Sequence, residues 1–551
     1  IALCARARLG LPNAAIPASA RPADPIPPRR LAQWIVLAAV PSGLMLSTTT
    51  HLTTDIFAMP LLWVIPLGIY LLSFVIAFAD RRGPARVISA LAWLAILSTG
   101  ALAMISQGSN GLLPVIGGVV LLFFLCVALH ARLYDLRPAP EQLTGFYLAM
   151  SAGGALGGLF TALVAPLVFD WVWEHPLLVL AAALLLPRYG LLDWTRAKGL
   201  QPELKYMALG ALVLTLAGLL WLLLDARFQA EEDTTLIWAL SAAIAVIGMG
   251  LVPWRGLAVL LLGATMLVQG GWLTVSDSRE GLRTRSYFGI YTVRDYPERK
   301  LRTLAHGTTL HGQQSTEPGM RCMPLSYYGP GSGVAIGFAN ASRLFPSAPK
   351  LGVVGLGTGS LAGFARPGQS WTLFEIDQAV LGLSEQGKFT FLRDCAPQAK
   401  VVLGDARLKL AEARAGAFDL LAIDAFSSDS IPLHLFTHEA FGVYLQALSP
   451  RGILFVHISN RYMELEPALM AEVRARGLHA AVREDDPPQG GPWTGSTWVA
   501  VTRDPERLRD LSALAPAMAW RPGKPPAPRV WTDDHASILP YVTWSNFLVR
   551  H

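Results

Sequence analysis

The sequence predicts a multi-span α-helical membrane domain followed by a soluble α/β doubly wound domain that begins with a small β-region. The chain has 551 residues, only 15% of them charged, and a mean hydropathy of +0.41. Residues 31–275 consist mostly of apolar runs, and a run of about 20 apolar residues crosses a bilayer. The second half has short apolar strands that alternate with helical stretches, which is typical of a parallel sheet covered by helices.

The membrane domain is predicted to span residues 31–275, after a Pro/Ala/Arg-rich linker at 1–30. The first residues look like the tail of an earlier apolar segment, so we expect the protein to extend further at its N-terminus. About nine transmembrane helices are expected in this domain. Their positions are 31–50, 56–79, 86–106, 111–131, 143–168, 172–187, 204–224, 234–252 and 256–275. In the fifth span, small residues at 151–158 predict a close helix–helix seam.

Positive charges concentrate in alternate loops of this domain. They are Arg29 and Arg30, then Arg81, Arg82 and Arg86, then Arg132 and Arg137, then Arg188, Arg196, Lys198 and Lys205. The positive-inside rule therefore places the N-terminus in the cytoplasm. With nine spans, the soluble half then lies on the periplasmic side of a bacterial inner (plasma) membrane. A miscount of one span would reverse this orientation.

A polar run between the first two spans, residues 47–55, contains His51 and Asp55 four positions apart. That spacing puts both side chains on one face of a helix. Ionisable groups at membrane depth are candidates for a proton or substrate site. The alternative is an interfacial cap, with Asp55 starting the next span.

The soluble half is organised around residues 351–377, LGVVGLGTGSLAGFARPGQSWTLFEID. We expect a buried strand at 351–354, a turn containing Gly355, Gly357 and Gly359, a short helix from about Ser360, and a second strand at 371–374. Glycines permit a sharp turn and a close approach of a ligand to the backbone. Glu375 follows Gly355 by 20 residues, where a carboxylate can accept hydrogen bonds from ribose hydroxyls.

Two further acids are predicted to follow strands, namely Asp405 after a strand at 401–403 and Asp424 after a strand at 419–423. More strands are expected at 452–459 and 497–502. Ligands of doubly wound sheets bind at the carboxyl ends of the strands. We therefore expect Glu375, Asp405 and Asp424 to converge on one cleft.

These motifs resemble the spermidine synthase family of aminopropyltransferases. The resemblance rests on GLGTGS with FEID, on GDA, and on IDAFSSDSIPLHLFT, preceded by HGTTLHGQQ and YYGPGSG. The chain as a whole resembles bacterial membrane proteins that fuse a transporter-like part to a spermidine synthase-like part. Residues 285–305 alternate like the strands of a β-hairpin and predict a small β-region at 285–345. The resemblance implies a methyltransferase-like Rossmann domain at 346–545. It also implies decarboxylated S-adenosylmethionine as a co-substrate, with no cofactor bound permanently.

The resemblance also implies roles for individual residues. Glu375 would hold the ribose of the co-substrate, Asp405 would read its adenine amino group, and Asp424 would deprotonate the attacking amine. The predicted cofactor-binding set is Gly355, Gly357, Gly359, Glu375, Asp405 and Gln314. The predicted catalytic set is Asp424, Asp429, His434 and Tyr328, where Asp429 would hold a distal ammonium group. Tyr327 and Tyr328 are expected to be either pocket walls or core residues, and His434 either a helper acid or base or a packing residue.

The amine side of the site departs from the family pattern. Asp424 and Asp429 are separated by four residues instead of two, and His311 stands where the family has an acid. Fewer acids attract a diamine less strongly, which argues against putrescine. The four cysteines, Cys4, Cys126, Cys322 and Cys395, have no metal-binding spacing, and we expect Cys322 and Cys395 to be free thiols. The alternative, a disulfide between them, would favour a location outside the cytoplasm. No metal site and no nucleic-acid partner are predicted, and a homo-oligomer is left open.

Three functions remain open from the sequence. The first is amine attack on an adenosyl-type donor, which requires a cytoplasmic cleft because that donor is made there. The second is an extracytoplasmic attack of an amine on an amide, such as cyclisation of an N-terminal glutamine. The third is a transporter of a polyamine or amino compound whose soluble half is a sensor, which only His51 and Asp55 favour. The expected partners are the lipid bilayer and an amine-containing small molecule or peptide.

Overall fold

The computed structural model describes residues 26–56, 62–105, 112–187, 194–196, 201–229, 233–307, 309–425 and 432–547. Nearly all of the predicted linker therefore lies outside the described residues. Within them, the chain forms a bundle of apolar helices, a small antiparallel sheet and a larger mixed sheet. The predicted order of membrane-type helices followed by an α/β half is confirmed at this level.

Seven helical segments in the described ranges are long and apolar enough to cross a bilayer, which indicates a membrane protein. They are α1 (Pro28–Thr54), α3 (Gly83–Met104), α4 (Leu113–Asp135), α5 (Pro140–Val168), α7 (Pro202–Phe228), α8 (Thr234–Leu251) and α9 (Arg255–Arg279). Two shorter apolar helices, α2 (Val64–Ala77) and α6 (Glu174–Leu185), occupy the second and sixth predicted positions. At 1.5 Å per residue these two are about 21 and 18 Å long, which is less than the hydrocarbon thickness of a bilayer.

The small-residue seam in α5 packs directly on α1. A Cβ atom on Gly153 would overlap the carbonyl oxygen of Ile35, and one on Gly157 would overlap that of Ala39. Only glycine lets two helix backbones approach this closely. The predicted packing seam is therefore confirmed.

Contacts between helix termini show which termini lie together at each end of the bundle. At one end, Arg30 and Arg82 contact the end of α4, and Arg255 contacts the residue that follows α6. At the other end, His51 in the last turns of α1 contacts α3 and the start of α6. Arg285, just after α9, pairs with Glu174 at the start of α6. The start of α1 and the start of the soluble half therefore lie at opposite ends of the bundle.

The small sheet is antiparallel, in the order β1 (Arg283–Arg285), β2 (Ile290–Tyr296), β3 (Leu301–His306) and β4 (Thr309–Ser315). The hairpin prediction for this region is confirmed. After it come the short helices α10 (Gly333–Ala339) and α11 (Ala341–Leu344).

The large sheet contains β5 (Lys350–Val354), β6 (Ser370–Glu375), β7 (Lys400–Leu403), β8 (Phe418–Ile423), β9 (Leu448–His457), β10 (His479–Asp485) and β11 (Ser496–Thr502). Its order is β10-β11-β9-β8-β5-β6-β7. The five strands from β9 to β7 are parallel, whereas β11 is antiparallel to both of its neighbours, β9 and β10. A doubly wound sheet is therefore confirmed, with β10 as a strand that the sequence did not predict. The short helix expected from Ser360 is a 3₁₀ segment, Ser360–Phe364.

Helices and two buried apolar clusters cover both faces of this sheet. The helices are α12 (Gln378–Glu385), α13 (Phe391–Cys395), α14 (Ala406–Ala411), α15 (His438–Ala447), α16 (Glu466–Ala475) and α17 (Pro505–Leu514). Because both faces are covered, a ligand can reach the parallel strands only at their ends.

A disulfide joins Cys322, in the segment after β4, to Cys395 at the end of α13. The prediction that these two cysteines are free thiols is wrong. They are 73 residues apart in sequence and meet because the segment after β4 packs on Gly363 of the 3₁₀ segment, which also contacts α13. This covalent link ties the small β-region to the doubly wound domain.

Removing this disulfide is expected to destabilise the soluble half by about 2–4 kcal/mol, because the bond closes a long loop in the unfolded chain. The measurement is thermal unfolding of wild type and of the double variant Cys322→Ser/Cys395→Ser, each with and without reductant. Reductant should lower the Tm of wild type and leave that of the double variant unchanged. An equal response of the two proteins would contradict the pairing.

A buried ion pair connects the two halves of the chain. The guanidinium of Arg285 donates to both carboxylate oxygens of Glu174, at 2.7 and 2.8 Å, and to the carbonyl oxygen of Trp171 at 2.7 Å. The two side chains are 5% and 0% exposed. Two opposite charges out of water require each other, because removing one leaves the other uncompensated.

Glu174→Gln is accordingly expected to destabilise the protein by about 3–5 kcal/mol, the cost of breaking one side of a buried pair. Glu317→Gln is the matched control, because its pair with Lys300 is about half exposed and is worth less than about 1 kcal/mol. The Tm of each variant is measured by thermal unfolding in detergent. A Tm for Glu174→Gln equal to that of the control would rule out a stabilising role for the pair.

Candidate active site

The predicted acids lie along one edge of the large sheet. Asp424 follows β8, Glu375 ends β6, and Asp405 follows β7 by two residues. Since β8, β5, β6 and β7 are neighbours in that order, and strands lie about 4.8 Å apart, Asp424 is about 10 Å from the line of Glu375 and about 14 Å from that of Asp405. The three acids lie at the same edge of the sheet, but β5 and its glycine turn lie between Asp424 and the other two, so their convergence on one cleft stays a prediction.

The Asp424 carboxylate is buried, with its side chain 3% exposed. Its Oδ2 accepts a short hydrogen bond from the Tyr328 hydroxyl, and its Oδ1 lies 2.7 Å from Nδ1 of His457. Burial and the charge of Asp424 raise the pKa of Tyr328 well above its ordinary value, so this hydroxyl keeps its proton. Each carboxylate oxygen therefore has a fixed polar neighbour.

The imidazole of His457 is held between two aromatic rings. Trp498 stacks on it at 4.6 Å, and Tyr327 stacks at 5.1 Å. Its Nε2 lies 2.8 Å from the Ser459 hydroxyl. Because an ionised carboxylate only accepts hydrogen bonds, the proton belongs on Nδ1, and Nε2 then accepts a hydrogen bond from Ser459. Asp424, His457 and Ser459 form a continuous hydrogen-bonded chain.

A second histidine, His311 on β4, lies near the same residues and has a ring nitrogen without a hydrogen bond to any described residue. Its Nε2 is buried and has no hydrogen-bond partner among the described residues, while its carbonyl oxygen accepts from Tyr327 at 3.4 Å. Burial lowers the pKa of His311 to about 4; the negative charge of Asp424 raises it and His457 lowers it further. His311 is thus a neutral imidazole near Asp424, and its orphaned nitrogen suits a polar ligand atom.

The glycine turn after β5 packs closely against the backbone of neighbouring segments. Gly355, Gly357 and Gly359 all have positive φ, which other residues adopt only with strain. A Cβ on Gly355 would overlap the carbonyl oxygen of Asp424, and one on Gly357 would lie 3.1 Å from that of His311. These glycines therefore bring the turn against β8 and β4, whether or not they also bind a cofactor.

The carboxylate of Glu375 accepts hydrogen bonds from the protein backbone. Its two carboxylate oxygens each accept a backbone N–H at 2.9 Å, from Leu356 and from Asp377. The residue is 7% exposed, and burial raises its pKa. Asp377 in turn accepts from the Ser286 hydroxyl and lies beside Tyr291, whose pKa is raised by burial and by Asp377. Residues of the small β-region thus cover the position predicted to hold a ribose.

The other predicted site residues are more dispersed. Asp405 caps α14 through Leu408 N–H and lies 3.4 Å from His434, which is half exposed. The Gln314 amide is fully used, since it donates to the carbonyl oxygen of Arg321 and to the Thr390 hydroxyl and accepts from the Thr390 N–H. Asp429 lies outside the described residues. The ligand-binding and catalytic roles of these residues stay predictions.

In the helix bundle, His51 is buried and stacks on His175 at 4.9 Å. The Ser47 hydroxyl lies 3.0 Å from Nδ1 of His175. The side chain of Asp55 is outside the described residues, so the predicted pair with His51 stays a prediction. In the parts of the chain that the structure describes, no group of three His, Cys, Asp or Glu residues could hold a metal ion.

Sequence reasoning missed His457, Ser459 and the orphaned ring of His311. His457 ends β9, the strand next to β8, so the rule that ligands bind at strand ends could have identified it. His311 was identified only as a departure from an acidic motif. Its closeness to Asp424 depends on the packing of β4 against the glycine turn, which no local pattern predicts.

No family model matches the chain, and no curated protein matches it. Solved structures that are similar to it include a probable spermidine synthase from Corynebacterium glutamicum, with 16% identity over 46% of this chain and 96% of that chain and a TM-score of 0.37. The spermidine synthase from Thermotoga maritima has 14% identity over 48% and 84%, with a TM-score of 0.32. A spermidine synthase in complex with the transition-state analogue AdoDATO has 13% identity over 48% and 85%, with a TM-score of 0.31. Values this low transfer no activity or ligand to this chain.

The lowered pKa of His311 predicts a pH dependence of stability. With a pKa of about 4 in the folded protein and about 6.5 when unfolded, the unfolded chain binds more protons between these values. Stability is therefore present above pH 6.5 and is lost, by about 3 kcal/mol for this group, as the pH falls to 4. His311→Asn should reduce the fall in Tm between pH 7 and pH 4.5, measured by tryptophan fluorescence, whereas variant His479→Asn, at an exposed position, should not. An unchanged profile in His311→Asn would contradict the buried neutral state.

Proposed function

We propose that this protein is a membrane-attached enzyme, facing the side opposite the start of α1, that joins an amine to an amide carbon and releases ammonia. Cyclisation of an N-terminal glutamine of an exported chain is the intramolecular form of this reaction. The observation that carries the proposal is the buried Asp424–His457–Tyr328 cluster, which can promote loss of a proton from an amine. The proposed partners are the lipid bilayer around the helix bundle and an amine-bearing small molecule or peptide.

The chemistry requires a proton acceptor, because amines are protonated at neutral pH and only the neutral form attacks. The remaining lone pairs of Asp424 and the basic Nε2 of His457 are the candidates next to each other in the cleft. The nitrogen that leaves an amide must gain a proton, and the group that took it from the amine can return it. Neutral His311 offers a donor for the carbonyl oxygen, which becomes negatively charged during attack.

The location supports an amide over an adenosyl-type donor. Arginine-rich loops lie at the same end of the bundle as the start of α1, and the soluble half lies at the other end. The positive-inside rule then puts the cleft outside the cytoplasm. The Cys322–Cys395 disulfide supports this side, because such bonds persist in oxidising compartments. Adenosyl donors are made in the cytoplasm.

The burial and hydrogen bonds of Glu375 also favour an amide over an adenosyl-type donor. A ribose-binding carboxylate presents its oxygens to the cleft, whereas Glu375 is only 7% exposed, so burial restricts access to the lone pairs that its two backbone hydrogen bonds leave unused. Ser286 and Tyr291 cover the adjacent Asp377. A nucleoside would have to displace these contacts.

Aminopropyl transfer from decarboxylated S-adenosylmethionine is the second candidate. The specific observation in its favour is the glycine turn after β5 with an acid at the end of β6, in a sheet ordered as a doubly wound nucleotide-binding fold. In that reaction the amine loses its proton to the same cluster and attacks a carbon bound to sulfur, and methylthioadenosine leaves.

The test is an ammonia-release assay on the full-length protein in detergent, with a glutamine amide as substrate and a simple amine as nucleophile. Asp424→Asn should lower kcat/KM by at least ~100-fold, since it removes the negative charge that stabilises a protonated neighbour. Asp510→Asn is the matched control, because Asp510 lies on α17 with its side chain about half exposed, and this substitution should change kcat/KM little.

The same preparation distinguishes the two donors. Decarboxylated S-adenosylmethionine and methylthioadenosine at millimolar concentration should leave the Tm unchanged if no adenosyl group is bound. A Tm rise with either compound, together with no ammonia release by wild type, would replace the proposed function with aminopropyl transfer.

A further inference from the structure

The hydrogen-bonded chain that starts at Asp424 ends on a hydroxyl group. Asp424 and His457 are buried, whereas Ser459 is partly exposed. The distances along the chain are 2.7 Å from Asp424 Oδ1 to His457 Nδ1 and 2.8 Å from His457 Nε2 to Ser459 Oγ. A carboxylate, an imidazole and a hydroxyl in this order make up the arrangement that activates a serine nucleophile.

The geometry fixes the direction of proton movement. Asp424 orients Nδ1–H of His457, so Nε2 is the basic atom, and the proton nearest to it is that of Ser459. Stacking by Tyr327 and Trp498 prevents rotation of the ring out of this position. Tyr328 holds the other carboxylate oxygen. Asp424 is in this arrangement a positioning residue, and His457 is the base.

We propose that Ser459 is a nucleophile that forms an acyl-enzyme with the amide or ester carbonyl of a substrate. The Ser459 oxygen attacks the carbonyl carbon, and its proton moves to Nε2 of His457. The bond from carbon to the leaving group breaks, and the proton moves from Nε2 to that group, which departs as ammonia, an amine or an alcohol. Water or an amine then attacks the ester carbon, gives its proton to Nε2, and Ser459 recovers that proton as its bond to carbon breaks.

Two further observations bear on this site. The Ser459 oxygen accepts the Thr497 N–H at 2.7 Å, which fixes the oxygen and leaves one lone pair for attack. The buried Nε2 of His311, which has no hydrogen-bond partner among the described residues, is near Asp424 and His457, so a further polar group lies in the same region. A purely structural Ser459 would explain the Thr497 contact but gives no reason for the alignment with His457 and Asp424.

The inference rests on the proposed function only for the choice of an amine as the second substrate. Acyl-enzyme formation needs no amine, so it can be tested without knowing the natural substrate. A fluorophosphonate probe reacts with activated serines by forming an oxygen–phosphorus bond and expelling fluoride, and the His457 base takes the hydroxyl proton.

The experiment treats full-length protein in detergent with the fluorophosphonate probe and maps the modified residue by peptide mass spectrometry. Wild type should be labelled at Ser459. The labelling rate should fall at least ~100-fold in Ser459→Ala and His457→Gln, in line with the loss of a nucleophile or its base. Ser512→Ala, which changes a partly exposed serine on α17, should label like wild type.

The outcomes separate the inference from the proposed function. Wild type that is not labelled at Ser459 overturns the inference, and this result does not depend on any variant folding. Labelling at Ser459 without ammonia release in the amide assay supports the inference and removes the proposed function. Ammonia release that persists in Ser459→Ala, with unlabelled wild type, removes the inference and keeps the direct attack of the amine.

Discussion

The burial of the Asp424 carboxylate is the constraint on which the rest of the candidate site depends. A charge removed from water costs several kcal/mol unless hydrogen bonds replace its hydration. Tyr328 and His457 provide those hydrogen bonds, and each of them needs support of its own. Tyr327 and Trp498 hold the His457 ring, and Gly355 permits β5 and β8 to approach without a Cβ between them. The positions of these neighbouring residues therefore follow from the need to stabilise one buried carboxylate.

Buried charges that stabilise each other also connect the helix bundle to the soluble half. Glu174 and Arg285 are both out of water, so each stabilises the charge of the other. Tyr287 adds a hydrogen bond to the carbonyl oxygen of Leu163 in α5, and a Cβ on Gly307 would overlap the carbonyl oxygen of Thr54 in α1. The small β-region thus contacts the bundle with its hairpins while its last strand, β4, packs on the glycine turn. This arrangement places the cleft close to the end of the bundle where His51 and His175 stack.

Local sequence patterns were sufficient for the parts that depend on neighbours in the chain. The apolar runs predicted nine spans, and seven helices in the described ranges are long enough to cross a bilayer. The other two, α2 and α6, are shorter because the described residues next to them are not helical. The strands that end at Glu375 and Asp424 were predicted within one residue, since an apolar run followed by an acid is a local signal. The Cys322–Cys395 pair was not predicted, because a disulfide depends on a distance between segments 73 residues apart.

The sequence by itself determined the two-part architecture, the glycine turn and the acids at the strand ends, because hydrophobic periodicity and turn chemistry act over a few residues. Only the tertiary structure decided which polar groups meet. It brought His457 and Tyr328 to Asp424, left Nε2 of His311 without a hydrogen bond to any described residue, and turned the oxygens of Glu375 toward backbone N–H groups. The physical reason is that a side chain's partners come from whichever strands pack beside it, and sheet order is set by the burial of the whole core.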